Sequence, residues 1–354
     1  MAATHSRIPI WSVAAPGLGL AAYLLLGKDS VSALLLGAVL IGAVMAAVHH
    51  AEIVAARVGE PFGAIILALA VTVIETGLIV SIMLGDTPAP ALVRDTVHAV
   101  VMLVLHGLAG LCIVVGTLRH REQEFRVEGT NAFLIVLLPM TAITLVLPNF
   151  TTSTPGPFYT TAQLTGVALI CLLLYLAFTF VQTVRHRDYF TPALATAPAE
   201  PPTARMTMLA LGLLLVALVA VVLLAKAVSP SIQLAAKALS APDALVGVIV
   251  AAIVLLPEAM TAVAAARANQ LQTSINLALG SAVACIGLTI PTVAFVAWMM
   301  DMPLMLGVSP GGAVLLALSF MMAMITYGTG RTNLLSGLVH LILFATWLFL
   351  LFLP

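Results

Sequence analysis

Charge is what this chain has least of. Lys and Arg together number 14 and Asp and Glu 14, so charged residues make up 8% of 354. Soluble domains carry about 25%, which excludes a soluble globular fold. The signs balance to a formal net charge of zero, which removes the electrostatic footprint expected of a protein that binds nucleic acid or an acidic polymer. Cysteine is scarce as well. Cys112, Cys171 and Cys285 each fall inside an apolar run without metal-ligand spacing, so neither a disulfide framework nor a zinc module is available. HExxH is absent, no Ser/His pair stands out, and the polar connections are too short to hold a catalytic domain. An integral-membrane metal-dependent enzyme built on His49, His50, Glu52 and a mid-membrane Glu is the alternative carried forward. A channel would need a continuous polar pore, whereas the polar residues cluster at one depth.

What is present is hydrocarbon, at 62% of residues. A spanning helix needs ~20 apolar residues. Eleven such runs occur, at 8–27, 31–48, 62–84, 97–117, 130–148, 160–184, 206–226, 243–266, 272–297, 304–325 and 334–353. The first follows Arg7 but continues to Lys28 with no small-residue cleavage site, so it is kept as a helix and not a signal peptide. The fold class is therefore all-α integral membrane.

Lys and Arg outside the runs set the orientation. Alternating the loops gives ten on one side (Arg7, Arg57, Arg119, Arg121, Arg126, Arg185, Arg187, Arg205, Arg267, Arg331) and four on the other (Lys28, Arg94, Lys226, Lys237). That bias places the N-terminus in the cytoplasm and the C-terminus outside, in a multi-pass protein of the cell's inner membrane. The longest polar connection, 185–205, is Pro/Ala-rich without helical periodicity and separates six helices from five. The expected organisation is an N-terminal helix (1–30), a five-helix unit (31–184), a cytoplasmic linker (185–205) and a second five-helix unit (206–354). An odd helix count makes the second unit enter the membrane from the opposite side, and inverted repeats with a midplane site are a secondary-transporter architecture.

Each unit carries one acidic residue deep in its second helix, Glu75 and Glu258. An ionisable residue at that depth costs ~2.5–3.5 kcal/mol on insertion scales, so it marks a functional site by default. Thr72 lies one turn before Glu75 on the same face, and Thr76 adjoins it. Pro257 precedes Glu258 and donates no N–H, which is expected to break the helix and free the Ile253 carbonyl. Thr261 follows one turn on, and the next helix supplies Asn276, Gly280 and Ser281. Oxygens, small residues and one charge at a helix break suit a cation. The threonines can equally bond back to their own helix, Asn276 can clamp a broken backbone, and Ser281 beside Gly280 can serve packing. His106, at the centre of the helix after Glu75 with Gly107 and Gly110, reads as a hydrogen-bonded interior histidine or as a proton carrier. His49, His50 and Glu52 are expected at a helix end, solvated or interfacial; Arg57 and Glu60 are expected in the loop before the third helix.

Three blocks, HHAEIVAARVGEPFGAIILALAVTVIE, RDTVHAVVMLVLHGLAGLCIVVGTLRHREQEF and LPEAMTAVAAARANQLQTSINLALGSAVACIGLTIP, together resemble the calcium/cation antiporter superfamily, and within it the bacterial ChaA-type cation/proton branch. The resemblance covers nearly the whole chain. It implies a secondary antiporter, not an enzyme, that exchanges Ca²⁺, and also Na⁺ or K⁺, for protons, with no cofactor and with inorganic cations, protons and the bilayer as its partners. It implies that Glu75 and Glu258 bind the cation or protons. The family's glycine–serine pair falls on Gly280 and Ser281, which makes Ser281 a ligand. Many relatives carry Gly-Asn four and three residues before the first glutamate, where this chain has Val71 and Thr72; before Glu258 the same places hold Val254 and Leu255. ChaA-like sequences tend to have Asn where His106 stands.

Overall fold

The computed structural model describes residues 8–25, 30–59, 62–84, 89–190, 201–238 and 241–353. Arg7, Lys28, Glu60 and residues 191–200 of the linker lie outside them, and so does the side chain of Lys237. The eleven apolar runs correspond to eleven helices: α1 Ile10–Leu25, α2 Ser30–Val58, α3 Phe62–Met83, α4 Leu92–His120, α5 Val127–Phe150, α6 Thr161–Arg185, α7 Ala204–Ala238, α8 Ala244–Arg267, α9 Leu271–Met300, α10 Pro310–Tyr327 and α11 Leu334–Phe352. Ten of them are long and apolar enough to cross a membrane. The described part of α1 has 16 residues, with Pro16 inside it. The protein is an all-α, multi-pass membrane protein.

Close packing divides the described residues into two compact units. The first lies within 1–89 and 196–240 and comprises α1, α2, α3 and α7. There α2 packs along α7, with α1 and α3 each touching both. The second lies within 90–195 and 241–354 and holds α4–α6 and α8–α11. There α4 packs on α8 and α11, and α9 packs on α5, α6 and α8. Each compact unit thus draws helices from both halves of the sequence, a partition distinct from the division at 185–205.

Helix α2 runs further than its apolar stretch. The segment Ala51–Val58 is rich in alanine and continues the helix, so Glu52 and Arg57 are helical and not part of a loop. His50 is fully buried, with Nε2 2.9 Å from the Ser12 carbonyl on α1, which corrects the expectation of a solvated residue. Glu52 is exposed.

The second unit contains two short extended contacts. β1 (Gln123–Glu124), between α4 and α5, pairs antiparallel with β2 (Arg331–Thr332), between α10 and α11. An isolated bridge joins Phe158, between α5 and α6, to Met305, between α9 and α10. Laying helices 2–6 in order on helices 7–11 converts the first contact into the second. Two of the four π-helical turns among the described residues follow the same correspondence, Leu103–Leu108 in α4 and Cys285–Thr289 in α9, each in the third helix of its half; those in α5 and α6 (Val181–Arg185) have no counterpart in α10 and α11. A further π turn, Ala142–Val146 in α5, leaves the Ile143 carbonyl to accept from Tyr159 Oη at 2.5 Å. Burial, with the Cys171 thiol second, pushes that hydroxyl up to about 12, so it stays a donor throughout the neutral range.

Candidate ion-binding site

In the first unit Glu75 sits at mid-length of α3 and is 1% exposed. The helix is apolar on every side, as expected of a helix enclosed by lipid and protein. Thr72, one turn earlier and also buried, donates its hydroxyl to the Ala68 carbonyl at 2.8 Å. A hydroxyl used in this way keeps acceptor lone pairs that can face an ion. Thr76 is buried beside Glu75.

In the second unit Glu258 is half-buried on α8 and follows the buried Pro257. The expected helix break is not there. α8 continues from Ala244 to Arg267 through Pro257, and a proline in a long membrane helix is tolerated where neighbours hold the helix on both sides. Thr261 Oγ1 donates to the Pro257 carbonyl at 3.1 Å, so its hydroxyl is turned onto its own helix. The helix after each glutamate helix does carry a π turn, in α4 and in α9.

On α9, which packs against α8, both ends of the Asn276 carboxamide are engaged. Nδ2 donates to the Phe190 carbonyl at 2.6 Å, and Oδ1 accepts from Gln272 Nε2 at 2.8 Å. Gln272 Oε1 in turn accepts from the Arg126 backbone at 2.6 Å. The geometry is that of a clamp on the short helical turn Arg187–Phe190. Asn276→Leu should therefore cost about 1–3 kcal/mol of stability, the typical penalty for stranding a buried polar partner. A lowered unfolding midpoint with unchanged apparent cation affinity in the purified protein is the expected result. A loss of affinity at unchanged midpoint would make Asn276 an ion ligand instead. Gly280 and Ser281 follow one turn on, both half-buried; a methyl on Gly280 would meet Phe133 at 3.6 Å, an ordinary contact.

His106 lies within the α4 π turn and is fully buried. Its Nδ1 is 2.8 Å from Nδ1 of His340 on α11, and His340 Nε2 is 3.0 Å from Thr326 Oγ1 on α10. His106 is therefore one half of a histidine pair. His340 was missed by sequence reasoning. The available signal was its position as a lone ionisable residue in the apolar run 334–353.

A helical membrane protein with one carboxylate at mid-length of the second helix of each half has the make-up of an ion carrier. The chain belongs to the sodium/calcium exchanger protein family, whose profile matches residues 30–184 and 209–353. It is a secondary transporter of the antiporter class. It is 47% identical over 358 residues to a putative ionic transporter, y4hA, of Sinorhizobium fredii (strain NBRC 101917 / NGR234), covering 99% of this chain and 98% of the relative. It is 33% identical over 311 residues to the sodium-potassium/proton antiporter ChaA of Escherichia coli (strain K12), covering 86% and 84%. Among solved structures, native YfkE matches with a TM-score of 0.75 at 18% identity, over 98% of this chain and 99% of that one. The H⁺/Ca²⁺ exchanger CAX matches with a TM-score of 0.72 at 16% identity, over 96% and 86%. At those identities the structures speak for the fold.

Proposed function

We propose that the protein exports a cytoplasmic cation, Ca²⁺ foremost, in exchange for external protons, with Glu75 and Glu258 as the groups that hold either cargo. The observation that carries this reading is the placement of one carboxylate at mid-length of the second spanning helix in each half. Two carboxylates give a charge of −2, which one Ca²⁺ or two protons neutralise. Reorienting them empty would take two bare charges through apolar surroundings at ~5–7 kcal/mol, which suppresses uncoupled leak roughly 10⁴-fold. Obligatory exchange follows from that penalty. Ca²⁺ prefers six to eight oxygens, and the carboxylates, Thr72, Ser281, the Ile253 carbonyl left without its Pro257 N–H, and water are the candidates. Na⁺ or K⁺ together with one proton balances the same charge. The likeness to a sodium-potassium/proton antiporter favours this second reading.

Two inverted five-helix repeats, 31–184 and 206–354, with an N-terminal helix outside them, account for the second glutamate helix running opposite to the first. The matching loop contacts and π turns support that relation. Proton-driven uptake into inside-out vesicles, run separately with Ca²⁺, Na⁺ and K⁺, tests the cargo. Uptake of none of the three would end the antiport reading.

Orientation is tested by labelling. The native cysteines are all buried, so the background is low. Single cysteines placed within 195–204 should resist impermeant thiol reagents applied outside intact cells and react in inside-out vesicles. Labelling from outside would reverse the N-in assignment and leave the opposed directions of the glutamate helices intact.

A further inference from the structure

We propose that Thr326, His340 and His106 form a proton route between an open surface pocket and the turn of α4 that packs against the Glu258 helix. The proposal rests on the antiport reading above and adds to it a path for the proton. The pocket has a volume of about 340 Å³ and is lined by Glu122, Thr326, Arg331, Asn333 and Ser336 among others. The Lys/Arg bias places it on the cytoplasmic side. Thr326, which lines it, is 3.0 Å from His340 Nε2, and His340 Nδ1 is 2.8 Å from His106 Nδ1. Both imidazoles are fully buried. Their separation is held by close helix contact: a methyl on Gly110 of α4 would lie 2.9 Å from His340 Cβ and 3.1 Å from the Gly337 carbonyl. The turn Leu103–Leu108 packs against α8 and α9, the helices of Glu258 and Ser281, as well as against α10 and α11.

Hydrogen-bond chemistry assigns the resting tautomers. Two facing Nδ1 atoms at 2.8 Å need one proton between them. If His340 supplied it, His106 would carry an Nε2–H in a buried position where Nε2 has no partner. A stranded donor is costly. The arrangement in which His106 holds the Nδ1 proton and leaves Nε2 bare, with His340 carrying its proton on Nε2 toward Thr326, avoids that stranded donor; His340 also reaches the Leu105 backbone, which competes for its proton. A proton arriving at His106 Nε2 displaces the Nδ1 proton to His340 Nδ1. His340 releases its Nε2 proton to the Thr326 oxygen, and the threonine's own proton leaves to water in the pocket. One proton enters and one departs, and both contacts persist with donors and acceptors exchanged.

Glu122 and Arg331 pair at 3.8 Å at the pocket, and Tyr327 stacks on His340 with ring centres 6.2 Å apart. Cys112, near Tyr327, and Glu258 lie on the packed elements, as do Asp95, His98, Arg119 and His120 of α4, Arg267 of α8 and Cys285 of α9.

The test uses the full-length protein in vesicles and two fluxes. Proton-driven cation uptake needs the route; exchange of labelled for unlabelled cation at equal pH needs no net proton movement. The probe is whichever of Ca²⁺, Na⁺ and K⁺ the wild type moves fastest. His340→Gln should slow proton-driven uptake roughly tenfold or more, in line with the loss of a positioned proton carrier, and spare self-exchange. Thr326→Val should act in the same direction, and Thr326→Ser should not. Equal losses of both fluxes in His340→Gln and Thr326→Val would make the cluster structural and overturn the proposal, as would undiminished proton-driven uptake. If His340→Gln does not fold, the Thr326 pair decides. Absence of proton-driven uptake in the wild type would instead sink the antiport reading, and the route with it.

Discussion

Glu75→Gln and Glu258→Gln should each reduce proton-driven divalent cation flux by about 10²-fold or more while the folded protein remains in the membrane. Glutamine keeps the volume and removes one charge. A divalent cation then leaves one positive charge uncompensated at mid-membrane, at ~2.5–3.5 kcal/mol, and at ~1.4 kcal/mol per decade that cost is about two decades of rate. The proton-loaded form also loses one of its two exchangeable protons. Glu→Asp keeps the charge and withdraws it by one methylene, so partial flux with weaker apparent affinity is expected at both positions. Flux is compared in reconstituted vesicles at equal protein loading. Near-normal flux from either Gln variant would remove that glutamate from the site. The two carboxylates are expected to titrate as a coupled pair, so any pH midpoint belongs to both.

The second large effect is structural. Gly247 of α8 lies against the α4 backbone, where a Cβ would be 2.7 Å from both the Asp95 carbonyl carbon and the Thr96 nitrogen. Neither backbone atom can swing aside as a side chain would. Gly247→Leu must separate α8 from α4, and overpacking of this kind costs about 1–3 kcal/mol and more where backbone is the obstacle. Because α8 carries Glu258, the expected outcome is protein that fails to accumulate or elutes aggregated from detergent, without transport. Gly212→Leu is the control, since a Cβ there meets nothing within 4 Å. It should accumulate and elute as the wild type does. Normal accumulation and flux of Gly247→Leu would show that α4 and α8 are not in the contact described.

What the sequence made legible was whatever depends on hydrocarbon and charge taken along the chain. Eleven apolar runs became eleven helices because each must close its own backbone hydrogen bonds in lipid. Glu75 and Glu258 stood out because charge is so scarce around them. Side-chain partners across the bundle left no such trace. His106 and His340 are 234 residues apart, and only the glycine contact between α4 and α11 brings their rings together. Asn276 offered the same carboxamide to an ion or to a backbone, and the Phe190 carbonyl that engages it lies 86 residues away. Pro257 suggested a break by its chemistry, yet its helix continues; irregular turns fall at Leu103–Leu108 and at Cys285–Thr289, the second just ahead of Pro291, whose missing N–H leaves the Gly287 carbonyl without its α-helical donor. His50 lay in a stretch whose polarity suggested a loop, but the alanines beyond it continue the helix and α1 buries the ring.

Proton release on cation binding bears most directly on the exchange of cargo at Glu75 and Glu258. Purified protein in detergent, weakly buffered near neutral pH, is titrated with Ca²⁺ and separately with Na⁺ and K⁺ while free proton is recorded. The expected result is acidification that saturates with the cation, with up to two protons released per Ca²⁺, fewer in either single Gln variant and none in the double variant. Saturable cation binding without proton release, or release undiminished in the double Gln variant, would contradict it.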